Sequence, residues 1–317
     1  MNFVIFVIAM AALIWGADIL VRESERIALR FHISEFVIGA TLIALGTSLP
    51  EMAASVAASA GGKSQIAIAN VIGSNILNIT LVLGSIFLIS KKVAPNRDFF
   101  TKDSTWAMIP VLVFVLMVID GEISRFDAAL LLLLMAAYIM FLLKEARELI
   151  AAEVKEIEEE LTNDEESGFH WIRTVVLVAV GLLLVIVGAD FTVESASDIA
   201  RTFGVSEWVI GIIMVSLGTS LPELVVSISA SVKGKVDMAI GNIIGSNMAN
   251  TTIVLGAAAL TSPMKIDTLA YRFDIATMVI ATLLLVLLTV NKLYNKPAGI
   301  MLFIILGLFL DHTISSI

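Results

Sequence analysis

The chain has 317 residues, 58% of them apolar and 15% charged, with a formal net charge of −9. A water-soluble domain of this length does not need so much apolar sequence, and the long apolar runs read as membrane-spanning helices. There is no cysteine and there are only three histidines (His32, His170, His312), which excludes disulfides, thiolate metal sites and a multi-histidine catalytic centre.

In chain order, apolar segments cover residues 2–21, 34–60, 65–89, 104–119 and 126–143, then 172–192, 206–232, 237–261, 273–290 and 298–314. The spacing predicts an all-α polytopic membrane protein of ten transmembrane helices, five on each side of an acidic connector. The first segment lacks the basic start and small-residue cleavage site of a secretion signal. Its Gly16-Ala17-Asp18 returns at Gly188-Ala189-Asp190, and a removable signal would have no internal copy. The connector, Lys144 to His170, holds ten acidic and three basic residues. Its "EIEEEL" lacks the alternating oxygens and turn glycine of a tight calcium loop, so it reads as a solvated, partly helical link. No nucleic-acid signature and no obligate protein partner are evident.

The two halves are copies. Shifted by 172, they align without a gap from Gly16 to Gly84. "SEFVIGATLIALGTSLPE" (34–51) matches "SEWVIGIIMVSLGTSLPE" (206–223) at 12 of 18 positions, and "NVIGSNILNITLVLG" (70–84) matches "NIIGSNMANTTIVLG" (242–256) at 10 of 15. Composition bias would match Leu, Ile and Val, not Thr, Ser, Pro, Glu and Asn in register. Five is odd, so the second copy enters the membrane from the opposite side and the repeats are inverted, the layout of secondary transporters. The division is a first repeat at 1–143 (motif 34–84), a connector at 144–170 and a second repeat at 171–317 (motif 206–256). Ten spans distribute the twenty Lys and Arg 15 to 5 between the two sides. By the positive-inside rule the connector is cytoplasmic and both termini are outside, in the plasma or inner membrane of a cell.

"GTSLPE" stands at Gly46–Glu51 and again at Gly218–Glu223. Pro50 has no N–H, and its ring pushes away the carbonyl of Gly46, so the helix is expected to open there. Lipid tolerates this only where the backbone lines a cavity or binds something. Thr47 and Ser48 add hydroxyls and Glu51 a carboxylate; Thr219, Ser220, Pro222 and Glu223 repeat the set. A carboxylate at mid-bilayer costs about 2.5–3.5 kcal/mol, which marks a functional site. No Lys or Arg lies in a core span near either motif to pair with it. "GSNILN" adds Ser74, Asn75 and Asn78, and "GSNMAN" adds Ser246, Asn247 and Asn250; Ser74 and Asn78 share one helix face. Asn75 and Asn247 read equally as helix–helix hydrogen-bonding groups. Gly73, Gly84, Gly245 and Gly256 read as close-packing positions.

The donors are hard oxygens, with no sulfur and no imidazole. Such a set suits Ca²⁺ and Na⁺. Two carboxylates can neutralise one Ca²⁺, and competition of Na⁺ for the same oxygens is a physical basis for exchange. No Ser–His or metal–His constellation lies in a span, so the chain is expected not to be an enzyme and to need no cofactor. An H⁺/Ca²⁺ or other cation antiporter of the same fold is the main alternative. A cation channel is another class, though channels place the pore between identical subunits.

The paired "GTSLPE" and "GSNxxN" segments resemble the two alpha-repeats of sodium/calcium exchangers in the cation/calcium antiporter superfamily. The resemblance spans essentially the whole chain. It implies alternating access, with inward Na⁺ driving Ca²⁺ extrusion. It implies the ion ligands Thr47, Ser48, Glu51, Ser74 and Asn78, with Thr219, Ser220, Glu223, Ser246 and Asn250. It also implies that the first and sixth spans, which carry Asp18 and Asp190, slide across the core; both aspartates read as well as interfacial charges. Potassium-dependent members carry Asp at the place of Asn250, so Asn250 argues against K⁺ co-transport. The Gly-Asn-x-x-Glu pattern of proton/calcium members is missing after Gly241-Asn242. The connector leaves no room for a large calcium-sensing domain.

Overall fold

A computed structural model describes residues 2–90, 93, 95, 98–157, 170–203 and 207–315. The acidic run at 158–169 and position 206 lie outside the described residues. The apolar runs fold as helices: α1 (Asn2–Phe31), α2 (Glu35–Thr47), α3 (Leu49–Ala60), α4 (Ser64–Ile89), α5 (Phe99–Met117), α6 (Arg125–Ile157), α7 (Trp171–Thr202), α8 (Glu207–Val232), α9 (Val236–Thr261), α10 (Arg272–Val290) and α11 (Lys296–Ser315). Among the described residues, eight helices are long and apolar enough to cross a membrane, or nine if the bent pair α2–α3 is one span. α8 is represented there by the shorter apolar stretch Leu217–Val232.

Local chemistry starts and stops these helices. The Ser34 hydroxyl accepts the Val37 N–H at 3.3 Å and caps α2. Asp98 caps α5 through the Thr101 N–H. After α5 the chain turns at Gly121, whose φ of 82° is left-handed and suits glycine. That turn leads into β1 (Glu122–Ile123), which pairs antiparallel with β2 (Met264–Lys265). α6 runs well past residue 143, so the start of the acidic connector continues the helix without a break.

α4 and α9 are central. Of their most apolar windows 78% is buried inside the protein, against 28–39% in the other six candidate spans, so those six leave most of their apolar length on the outside of the bundle. α1 and α7 cross each other closely where Gly16 faces Gly181 and Leu184, and Gly188 faces Leu13.

Contacts at the two ends of the bundle sort by connection. At one end, Lys233 pairs with Asp18, Lys235 with Glu25 and Glu35, Ser90 with Ser231, and Phe31 meets Trp171 edge-to-face. At the other, Asn2 meets Asp198, Ser59 donates to the Ala258 carbonyl, Arg125 donates to the Leu260 carbonyl, and β1 meets β2.

Candidate functional site

The site is assembled where α3 and α8 meet α4 and α9. In the first hexapeptide the helix breaks at Ser48, whose ψ is 6°, and α2 and α3 meet at 44°. The second hexapeptide behaves differently from expectation. Pro222 lies inside the continuous helix α8, so only the first copy interrupts its helix. Pro50 begins a new helix in the first turn, where its missing N–H costs nothing.

On α4, Asn70, Ser74 and Asn78 are four apart and share one face; on α9, Asn242, Ser246 and Asn250 repeat it. Asn78 and Asn250 each open a π-helical turn, Asn78–Leu83 and Asn250–Val254. Nine of the ten residues singled out in the sequence are buried: Thr47, Ser48, Glu51, Ser74, Asn78, Ser220, Glu223, Ser246 and Asn250. Thr219 is half-buried.

Cross-repeat contacts bring them together. Ser48 donates to Glu223 Oε1 at 3.3 Å. The Ser74 and Thr219 hydroxyls are 3.5 Å apart. Thr219 Oγ1 donates to Asn70 Oδ1 at 3.3 Å, and Thr47 Oγ1 to Asn242 Oδ1 at 3.4 Å. The Thr219 hydroxyl also lies beside Glu51, and the Thr47 and Ser246 hydroxyls beside Glu223; Glu51 and Glu223 sit close enough to repel each other.

Many of these buried polar atoms lack partners. Among the described residues, both oxygens of Glu51, Oε2 of Glu223, Oδ1 of Asn78, the hydroxyls of Ser220 and Ser246, and both amide atoms of Asn250 make no hydrogen bond. A buried unsatisfied polar group costs about 1–3 kcal/mol, and more when charged, so such a concentration needs an explanation. All but one of these atoms is an oxygen, the donor that hard cations take.

Several residues of the assembly were not singled out in the sequence. Asn70 Nδ2 donates to Ser55 Oγ and Asn242 Nδ2 to Ser227 Oγ, each at 2.9 Å. The signal was present: both pairs recur at the shift of 172, with each serine four residues after the motif glutamate. Asp18 is engaged by Lys233, through both its carboxylate and its backbone carbonyl. Asp190 is exposed. Gly245 packs closely, since a Cβ there would lie 2.5 Å from the Ala40 carbonyl oxygen. Gly73, its counterpart, has nothing within 4 Å of that position, contrary to the close packing expected of both.

The chain matches the family model described as sodium/calcium exchanger protein over residues 1–144 and 173–314. It is 30% identical to the sodium/calcium exchanger MaX1 of Methanosarcina acetivorans, covering 98% of this chain and 97% of that one. It is 32% identical to the inner membrane protein YrbG of Escherichia coli, covering 93% and 91%. A solved structure of the sodium-calcium exchanger NCX_Mj superposes with a TM-score of 0.81 at 31% identity, covering 98% of this chain and 97% of that one.

Proposed function

Because the chain belongs to the sodium/calcium exchanger family of integral membrane proteins, we propose that it exchanges Na⁺ for Ca²⁺ by alternating access. The ions are held between two inverted five-helix repeats, 1–143 and 171–317, joined by the 144–170 connector. The ligands are Thr47, Ser48, Glu51, Ser74 and Asn78 with Thr219, Ser220, Glu223, Ser246 and Asn250. The observation that carries this reading is the concentration of buried, unpartnered oxygens around two mutually repelling carboxylates. A divalent cation between them removes the repulsion and satisfies the orphaned oxygens at once. Several Na⁺ can use overlapping subsets of the same oxygens, which makes the two ions competitors. Asn250 in place of an acid keeps the site at two negative charges and speaks against a K⁺ requirement.

The ten-crossing layout is supported by which connections touch. Every end contact described above joins connections that ten crossings put on the same side. The orientation rests on the 15-to-5 split of basic residues, with both termini outside and the connector cytoplasmic.

The test is ⁴⁵Ca²⁺ uptake into proteoliposomes carrying Na⁺, K⁺ or H⁺ gradients imposed separately. Uptake should follow the Na⁺ gradient alone, and should respond to a valinomycin-clamped potential if more than two Na⁺ exchange for each Ca²⁺. Uptake driven only by H⁺ would overturn the Na⁺ coupling; conduction without a counter-ion would make the protein a channel.

A further inference from the structure

Outside the ten ligands, one hydrogen-bond chain differs between the halves. Asn247 Nδ2 donates to the backbone carbonyl of Asn75 at 3.3 Å. A carbonyl only accepts, so this contact fixes which end of the Asn247 amide is which. Asn247 Oδ1 is therefore the atom that meets Asn78, and it accepts the Asn78 Nδ2–H at 3.0 Å. With its nitrogen held, Asn78 has only its Oδ1 to offer, and that oxygen is buried and unpartnered.

The second half departs from this arrangement. Asn75 is the counterpart of Asn247, and Asn250 of Asn78. Thr251 donates its hydroxyl proton to the Asn247 carbonyl at 3.0 Å, which leaves the Thr251 oxygen as an acceptor. Asn75 Nδ2 takes that acceptor at 2.7 Å. Asn75 Oδ1 stays unpartnered, and so do both amide atoms of Asn250. The position matching Thr251 in the first repeat is Ile79, which has no hydroxyl. Among Asn75, Asn78 and Ile79 and their counterparts Asn247, Asn250 and Thr251, this is the one position whose residue differs.

We propose that Asn247 is a positioning residue that holds the Asn78 carboxamide with its oxygen toward the ions, and that Thr251 captures Asn75 and so leaves Asn250 unanchored. The two repeats then supply unequal amide ligands, one preset and one free to turn. This rests on the reading of Asn78 and Asn250 as ion ligands.

The test is Na⁺-driven ⁴⁵Ca²⁺ uptake by the purified full chain in proteoliposomes, read as half-saturating Ca²⁺ and maximal rate separately. Asn247→Leu should raise half-saturating Ca²⁺ about tenfold, the value of one hydrogen-bonded ligand lost. Asn78→Ala should do the same, and the double variant should be no worse than Asn78→Ala alone, because both changes act through one ligand. Thr251→Val keeps the shape and frees Asn75 to offer its oxygen to Asn250. It should lower half-saturating Ca²⁺ about threefold, whereas loss of a merely structural hydrogen bond would not tighten binding. Should Asn247→Leu fail to fold, Thr251→Val decides the matter by the sign of its effect. Additive effects in the double variant, or weaker binding in Thr251→Val, would overturn the proposal. Absence of Na⁺-driven uptake in the wild type would instead overturn the exchange reading, and an unaffected Asn78→Ala would overturn the ligand assignment.

Discussion

Ser48 of the first hexapeptide donates to Glu223 of the second across 3.3 Å, while the mirror pair, Ser220 and Glu51, is not joined: the Ser220 hydroxyl and both Glu51 oxygens have no partner. The two carboxylates are chemically alike and structurally unequal in this conformer. Glu51 is the barer of the two.

Replacing either carboxylate should abolish Ca²⁺ transport without unfolding the protein. In Glu51→Gln or Glu223→Gln a divalent ion meets one compensating charge in a buried site. Such an imbalance costs several kcal/mol, so Ca²⁺ flux should fall by about two orders of magnitude or more. Without ions the Gln variants should melt no lower than wild type, since the carboxylate repulsion is gone. Added Ca²⁺ should raise the wild-type melting temperature and leave that of Glu51→Gln unchanged. Normal flux in the folded Gln variants would refute the site.

The paired motif glycines should behave oppositely. Gly245→Ala drives a methyl to 2.5 Å from the Ala40 carbonyl oxygen and 2.6 Å from the Ala40 Cα, where backbone cannot yield cheaply. Overpacking of this kind costs about 1–3 kcal/mol. Gly73→Ala meets nothing within 4 Å and should leave the melting temperature level or slightly higher. Equal losses in both variants would contradict the packing described.

The Lys235 ammonium gives a pH-dependent contribution. Burial alone would lower its pKa, but the carboxylates of Glu25 and Glu35 outweigh this and hold it above the ordinary lysine value. A raised folded pKa contributes stability in full below the unfolded value, about 10.4, and loses it as pH rises through the folded value. The melting-temperature gap between wild type and Lys235→Met should therefore be constant from pH 7 to about 10 and close above that. The pair is partly exposed, so the gap should correspond to about 1 kcal/mol or less and shrink with salt. A gap that widens at alkaline pH would contradict the pairing.

Orientation is open to a labelling experiment, since the chain has no cysteine of its own. Phe203→Cys and Leu293→Cys place thiols at exposed positions in connections assigned to opposite sides. An impermeant maleimide added to intact cells should label position 203 and spare 293 until the membrane is opened. The reverse pattern would invert the topology.

The repeat was legible because Thr, Ser, Pro, Glu and Asn recurred in register inside apolar runs, where chance matches only aliphatic residues. The ten candidate ligand positions came from the resemblance of those repeated motifs to the exchanger alpha-repeats, and the structure brings these residues of α2, α3, α4, α8 and α9 together. Other features depend on tertiary context. Gly73 and Gly245 are the same letter in the same motif; only the neighbour across the gap distinguishes them. Pro50 sits in the first turn of a helix that starts after a break and Pro222 is carried within another, because packing decides whether a kink is relieved by a break. Asn70 and Ser55 were written twice at the shift of 172, yet their pairing spans two helices and no single-helix spacing announces it.

The π turns beginning at Asn78 and Asn250 act as rotary joints within α4 and α9. A π turn is an α-helix carrying one surplus residue, so everything beyond it is rotated by about 100° relative to what came before. That surplus lets one helix address two neighbours. Asn70, Ser74 and Asn78 meet Ser55, Thr219 and Asn247, while Phe87, further along α4, packs its ring 6.1 Å from that of Tyr294 just before α11. The surplus residue stands at the same place in both halves. Deleting a residue from either turn would swing one of the two faces out of alignment with its neighbour.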